Sequence, residues 1–207
     1  MGMRKQKGIY VPEQDTAKIW GLNWEVREYN RINPKGNRAI DIGAHVGIWT
    51  RRLAVDFNEV IAFEPMKKHI ECHKKNCEEF DNITLVEVAV SNENRFQVMT
   101  TKDINSGMST LLDQNDLRWK KEQLHEIVET RTLDSYNFPK IDFIKMDVEE
   151  WEEQALEGSM QTILKYKPIM YIEIHKQRFN KIKNLLQEIG YDLQKNSYIN
   201  YLCVPIK

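Results

Sequence analysis

The chain has 207 residues and is short of cysteine, glycine and proline, with three, nine and six respectively. Cys72, Cys77 and Cys203 make an odd number and include no Cys-x-x-Cys pair. That excludes a disulfide framework of the small secreted kind and a four-thiolate zinc site. Cys72, His73 and Cys77 stand close together, but on a charged amphipathic segment with no second ligand cluster, so they read as helix rather than metal site. No apolar run approaches the roughly 20 residues a membrane helix needs. Residues 1–7 are basic, yet no apolar signal core follows them. Neither sign of charge dominates: 30 basic and 31 acidic side chains leave a net charge of −1. A chain so balanced has no overall field to draw it onto nucleic acid or an anionic membrane. Repeats and low-complexity stretches are absent as well. These absences leave a single domain over 1–207, expected in the cytoplasm with reduced thiols and with neither membrane nor nucleic acid as partner. Composition does not fix an oligomeric state.

What is present alternates in kind. Residues 38–42, 59–63, 95–100, 127–132 and 141–147 read as strands, and the apolar run 83–90 as a strand broken by Glu87. Residues 47–56, 66–79, 151–164 and 178–188 have helical spacing, the last stopped by Gly190. Pro168 opens a strand running to Ile174, and residues 191–193 and 199–206 form a closing pair. Trp20, Trp24 and Tyr29 fit an N-terminal helical extension over 1–35 that packs on the sheet or, less simply, offers an aromatic platform to a sugar. Residues 101–126 read as a loop, a candidate acceptor-side lid. They carry Asn105, Ser106, Gly107, Met108, Ser109 and Thr110. Strand–helix alternation argues for an α/β fold, a mostly parallel sheet with helices on both faces. In such sheets the ligand crevice lies at the carboxyl ends of the strands.

The first strand ends in Asp41-Ile42-Gly43-Ala44-His45-Val46-Gly47, and a helix follows. Gly43 permits a tight turn with room for a ligand, and Gly47 lets the helix start pack near the strand. The helix start exposes N–H groups to a polar ligand. No Gly-Lys-Ser/Thr follows, so this is not a phosphate loop. His45 fills the middle glycine position of a dinucleotide fingerprint, which suits a nucleoside without phosphates better than a pyrophosphate. Glu64, at the tip of the next strand and before Pro65, lies about 20 residues downstream, where a carboxylate accepts hydrogen bonds from both ribose hydroxyls. The plainer reading makes the glycines a turn and Glu64 a helix cap.

Taken in order, Asp41-Ile-Gly-Ala-His-Val-Gly47, Ala62-Phe-Glu-Pro65, Ser106 to Thr110, Thr132-Leu-Asp134, Lys145-Met-Asp-Val-Glu149 and Glu173-Ile-His175 resemble the FkbM-type methyltransferases over about residues 38–193. The resemblance implies a Rossmann-like class I fold: a seven-stranded, mostly parallel sheet whose last strand is antiparallel. It implies S-adenosylmethionine as methyl donor and, usually, oxygen methylation of a small hydroxyl acceptor such as a sugar or glycan. Asp41, Gly43 and Gly47 would line the methionine and ribose, with Ala44 and His45 between them. Glu64 and Pro65 would hold the ribose end, and Glu87 to Val90, including Ala89 and Val90, would border the adenine. Asp147 would sit by the reacting methyl. One departure stands out: Glu150 occupies the place of the family's glycine in Asp-x-Glu-Gly.

Methyl transfer from a sulfonium mainly requires alignment, which can supply roughly 7–11 kcal/mol. A base near the acceptor hydroxyl adds about 10²–10⁴-fold. Candidates are Asp147, the best placed, with Glu149 and His175. Lys145 lies on the same side as Asp147 and either acidifies the acceptor or pairs with Asp147. Glu149 and Glu150 read equally as first-turn acids of the helix at 151, and His175 as a surface histidine. Asp147, Glu149 and His175 are also possible ligands for a divalent ion. No third carboxylate is visible from sequence, so a metal-free mechanism ranks first. The competing readings are a Rossmann-type NAD oxidoreductase and a non-catalytic nucleoside-binding module on the same fold.

Overall fold

The computed structural model describes residues 2–13, 21–102, 109–111 and 123–206. Seven strands form the main sheet: β3 (Gly36–Ile42), β4 (Phe57–Phe63), β5 (Ile83–Val86), β10 (Phe143–Met146), β11 (Ile169–Glu173), β12 (Tyr191–Lys195) and β13 (Asn200–Pro205). Their spatial order is β12-β13-β11-β10-β3-β4-β5. β13 alone runs against its neighbours β11 and β12, and the other pairings are parallel. This is the α/β sheet expected from the alternating pattern, with the last strand antiparallel.

Alternation along the strands feeds two cores. Ile40, Ile42, Ile144, Met146, Met170 and Ile172 face one way and meet Ala155, Leu156 and Ile163 of helices α4 (Glu152–Glu157) and α5 (Met160–Tyr166), and Ile182 and Leu186 of α6 (Phe179–Glu188). Ala39, Val60, Phe143 and Tyr171 face the other way. They meet Tyr29 of α1 (Gly21–Ile32) and Trp49, Leu53 and Ala54 of α2 (Ile48–Asp56). The Trp49 and Tyr171 rings stack at 5.1 Å, and α3 (Lys67–Asn76) lies beside the α2 layer.

Three expectations are corrected. In the N-terminal region the described helix is α1, Gly21–Ile32, while β1 (Met3–Gln6) and β2 (Ile9–Pro12) form an antiparallel hairpin. It buries Ile9 and Val11 against Val46 and Cys72, and Asn76 secures it by exchanging hydrogen bonds with the Tyr10 backbone. Second, residues 151–164 are two helices, not one. The break falls at Gly158–Ser159, where a Cβ on Gly158 would stand 1.9 Å from the Ser91 carbonyl oxygen. Asp134 caps the new start, its carboxylate accepting from the Gln161 and Thr162 N–H groups at 3.0 and 2.8 Å, which accounts for an acid at that place.

Third, the lid expectation is met at both ends by strand. β7 (Arg95–Lys102), β8 (Ser109–Leu111) and β9 (Gln123–Arg131) join β6 (Ala89–Val90) in a second, four-stranded sheet ordered β6-β9-β7-β8. Asn105 to Met108 and residues 112–122 lie outside the described residues, as do Trp20 and the Trp24 side chain. Ser109 and Thr110 are buried in β8. Cys72, Cys77 and Cys203 are buried and lie outside any disulfide. Among the described residues no helix is long and apolar enough to cross a membrane.

Phe143 is 1% exposed where β10 meets the α2 layer. Phe143→Ala is expected to lower unfolding free energy by about 3–5 kcal/mol, read from urea denaturation.

Candidate active site

The in-register pairing of β3 with β10 sets Lys145 opposite Asp41. Both point to the α2 side, as their spacing from Phe143 and Ala39 requires. Asp41 is fully buried and accepts from the Thr50 hydroxyl at 2.6 Å. Thr50 in turn lies 3.0 Å from His73 Nε2. The Lys145 ammonium donates to the Gly43 carbonyl at 3.1 Å and stands 3.6 Å from Asp41 and 3.5 Å from Asp147. Asp41 therefore builds the turn from beneath and presents no carboxylate to a ligand. Asp147, about a third exposed, is the carboxylate this arrangement leaves at the mouth.

Both glycines answer to the protein itself. Gly43 has φ +78°, and a Cβ there would lie 1.8 Å from the Asp147 carbonyl oxygen. Gly47 has φ +90°, and a Cβ would lie 2.8 Å from Cys77 Sγ. The sequence reading gave Gly43's bare face to a ligand, but the β10 backbone already occupies that space. The turn is closed by hydrogen bonds from the Gly43 and Ala44 N–H groups to the Phe63 carbonyl, both 3.0 Å. His45 adopts φ +51°, its ring 4.3 Å from that of His69. Burial, then the charges of His69 and Lys145, drive its pKa well down, so His45 is neutral.

Glu64 ends β4 and is buried. Its Oε2 accepts from the His45 N–H at 2.8 Å; its Oε1 accepts from the Met66 N–H at 2.9 Å and lies 3.1 Å from His69 Nδ1. Burial alone would raise its pKa. The His69 ring and the two backbone donors outweigh burial and hold the carboxyl below its usual range. Glu64 thus joins the glycine turn to the start of α3, with Pro65 half-buried beside it. A ribose diol reaches this carboxylate only by sharing or replacing these donors. His69 was invisible as a partner from sequence, because its five-residue offset from Glu64 spans a helix start. Ala89 and Val90 are buried between sheets, Ala89 with Met66 and Trp151 and Val90 in the main core. Neither side chain is free to border an adenine.

Past β10, residues 147–151 form a half-buried loop that ends at buried Trp151. Glu149 and Glu150 have φ +52° and +72°, so they are left-handed loop residues, not first-turn acids; α4 starts at Glu152. Left-handed backbone at 150 explains why a glycine suits the family's Asp-x-Glu-Gly. His175 Nε2 lies 3.2 Å from Glu173 Oε1 and 3.9 Å from Glu149 Oε2. The Glu173 carboxylate beside it raises the pKa of His175. Burial, then Asp147 and its acidic neighbours, pushes Glu149 up to about 10. Burial and Asp147 raise Glu173 as well, and burial takes Glu152 to about 8. The structure so divides the candidates: Asp147 with Lys145 on one side, Glu149 with His175 and Glu173 on the other. Glu173 and Glu152 were not among the expected site residues. Glu173, two residues before His175 in a strand, shares its face and was readable from that spacing.

Residues 41–193 match the family model of the methyltransferase FkbM domain. The chain belongs to the FkbM methyltransferase family. Among solved structures it is similar to methyltransferase FkbM from Methylobacillus flagellatus KT, with 17% identity and a TM-score of 0.59 over 81% of this chain. That alignment covers 43% of the other protein, so the chain spans less than half its length. An rRNA methylase from Streptococcus thermophilus shares 12% identity over 92% of this chain and all of the other, with a TM-score of 0.55. The Streptococcus mutans protein SMU.1697c, solved in complex with SAH, shares 12% identity over 87% and 94% of the two chains, with a TM-score of 0.54. At these identities the structural likeness establishes the fold. No curated protein matches the sequence.

Glu150→Gly is expected to raise unfolding free energy by about 1 kcal/mol in thermal or urea denaturation. Left-handed backbone costs a non-glycine residue roughly 1–2 kcal/mol, and the added freedom of the unfolded chain returns part of that gain. Glu64 gives a second test. Its folded pKa lies below the ordinary 4.5, so its contribution to stability is complete above that pH and is lost as pH falls through the folded value. The Tm difference between the native chain and Glu64→Gln should hold above pH 4.5 and shrink below it.

Proposed function

We propose that this FkbM-family chain transfers a methyl group from S-adenosylmethionine to the hydroxyl of a small acceptor, such as a sugar or glycan end. The observation that carries the reading is the Asp147–Lys145 pair beside the closed glycine turn, at the carboxyl ends of two adjacent strands. The family match supplies the donor. S-adenosylhomocysteine bound to a protein of the same fold agrees with it.

In this reading the turn 43–47 and Glu64 hold the donor, with Ala44, His45 and Pro65 along its path. The Glu64 carboxylate reaches the ribose through the one lone pair of Oε2 not used by His45. Asp41 and Gly47 act from below by fixing the turn. Asp147 is the base. It is the accessible one of the two carboxylates beside Lys145, whose ammonium also donates to the Gly43 carbonyl. As the acceptor oxygen attacks the methyl carbon in line with the carbon–sulfur bond, the hydroxyl proton passes to Asp147 and the electron pair leaves on sulfur. His175, held by Glu173, and Glu149, pushed toward its neutral form, are positioned to orient the acceptor. The net charge of −1 favours a small acceptor over nucleic acid, and free thiols suit the cytoplasm. The FkbM match weighs against the dinucleotide-oxidoreductase alternative.

Calorimetry with S-adenosylhomocysteine should show saturable binding that Glu64→Gln weakens tenfold or more, about 1.4 kcal/mol. Asp147→Asn should keep donor affinity within about twofold while lowering turnover about 10²–10⁴-fold on an accepted hydroxyl substrate. Unchanged affinity in Glu64→Gln sinks the ribose assignment. A product methylated on nitrogen, located by mass spectrometry, sinks the oxygen assignment.

A further inference from the structure

Glu149, Glu173 and His175 come from the loop after β10, the end of β11 and the second residue past that end. One donor atom from each lies within 4.8 Å of the others. An ion bound at about 2.1 Å places neighbouring donors about 3 Å apart and opposite donors about 4.2 Å apart. The observed 3.2 Å from His175 Nε2 to Glu173 and 3.9 Å to Glu149 fall within that span. The third carboxylate that sequence left unseen is Glu173.

A second observation comes from α4. Glu152 is 0% exposed, and its Oε2 has no hydrogen-bond partner among the described residues, while its Oε1 accepts from the Val148 N–H at 3.2 Å. Its charge bears on both Glu149 and His175. A buried carboxylate oxygen without a donor is costly, and a water carried by an ion at the cluster would supply that donor. Asp147, Glu149, Glu152 and Glu173 together crowd negative charge here.

We propose that Glu149, Glu173 and His175 bind one divalent first-row cation such as Mn²⁺, with Glu152 holding one of its waters. Two carboxylates and an imidazole match an ion between the oxygen-preferring and nitrogen-preferring classes. The binding stands on these side chains alone. Its use, drawing the acceptor oxygen into place and easing its proton away, rests on the methyl-transfer reading.

The test uses the full chain, freed of metal with EDTA and desalted, and titrated with Mn²⁺ while free Mn²⁺ is read by electron paramagnetic resonance. One equivalent should bind. Glu173→Gln and His175→Gln should each weaken binding about 10–100-fold, whereas Glu188→Gln, an exposed acid on α6, leaves it unchanged. Should the two cluster variants fail to fold, paramagnetic broadening in amide spectra of the unaltered chain decides the question. Broadening centred on residues 147–152 and 173–175 supports the site. Broadening centred elsewhere, no saturable binding, or unchanged affinity in folded Glu173→Gln overturns it. S-adenosylhomocysteine affinity of the metal-free chain, measured alongside, tests the donor site separately.

Discussion

The arrangement rests on one buried ammonium. Lys145 reaches from β10 to the Gly43 carbonyl and sits between Asp41 and Asp147, so one cation fixes the turn, the strand pairing and the carboxylate at the mouth. Its side chain is 6% exposed. An ammonium withdrawn from water is tolerable only with such partners. The parallel register β3–β10 delivers it there, and the absence of a Cβ on Gly43 lets the two backbones close. Remove any of the three and Asp147 loses its fixed position.

Around this pair the electrostatics divide. On the Glu64 side, backbone donors and His69 keep a buried carboxylate ionised. On the Glu149 side, carboxylates face one another with few cations, and their pKa values climb. A methyl donor carries positive charge and loses it on reaction. An acceptor hydroxyl needs its proton drawn off. In the proposed reaction the two halves of the site would ask for different surroundings, and the two sides of Asp147 differ in that sense.

Most strands and helices of the main sheet were legible because periodicity and proline or glycine punctuation are local signals, whereas the count of seven strands came from the family resemblance. That Lys145 and Asp147 lie on one side was legible for the same local reason: parity along a strand fixes which side chains share a face. What escaped was tertiary. Nothing local tells that Ser91 touches Gly158 and divides a helix, that β6 to β9 assemble a separate sheet, or that hairpin β1–β2 occupies a stretch read as helical. The glycines were correctly singled out for the wrong contact: Gly43 is bare for Asp147 and Gly47 for Cys77, partners more than 25 residues away in sequence. Glu173 was quoted with His175 yet was not among the expected site residues. Its significance depends on Glu149 curling back through left-handed backbone, which a run of acids before a helix does not announce.

The seam at Gly158 has a mechanical meaning. Ser91, immediately after β6, presses its carbonyl where a single methyl group would not fit, and the Trp151 indole N–H clasps the Ser91 hydroxyl at 3.1 Å. The smaller sheet is thereby riveted to the larger along one line. Relative sliding there would break a close contact and a buried hydrogen bond together, so Met66, Ala89 and Trp151 form an unyielding wall rather than a hinge.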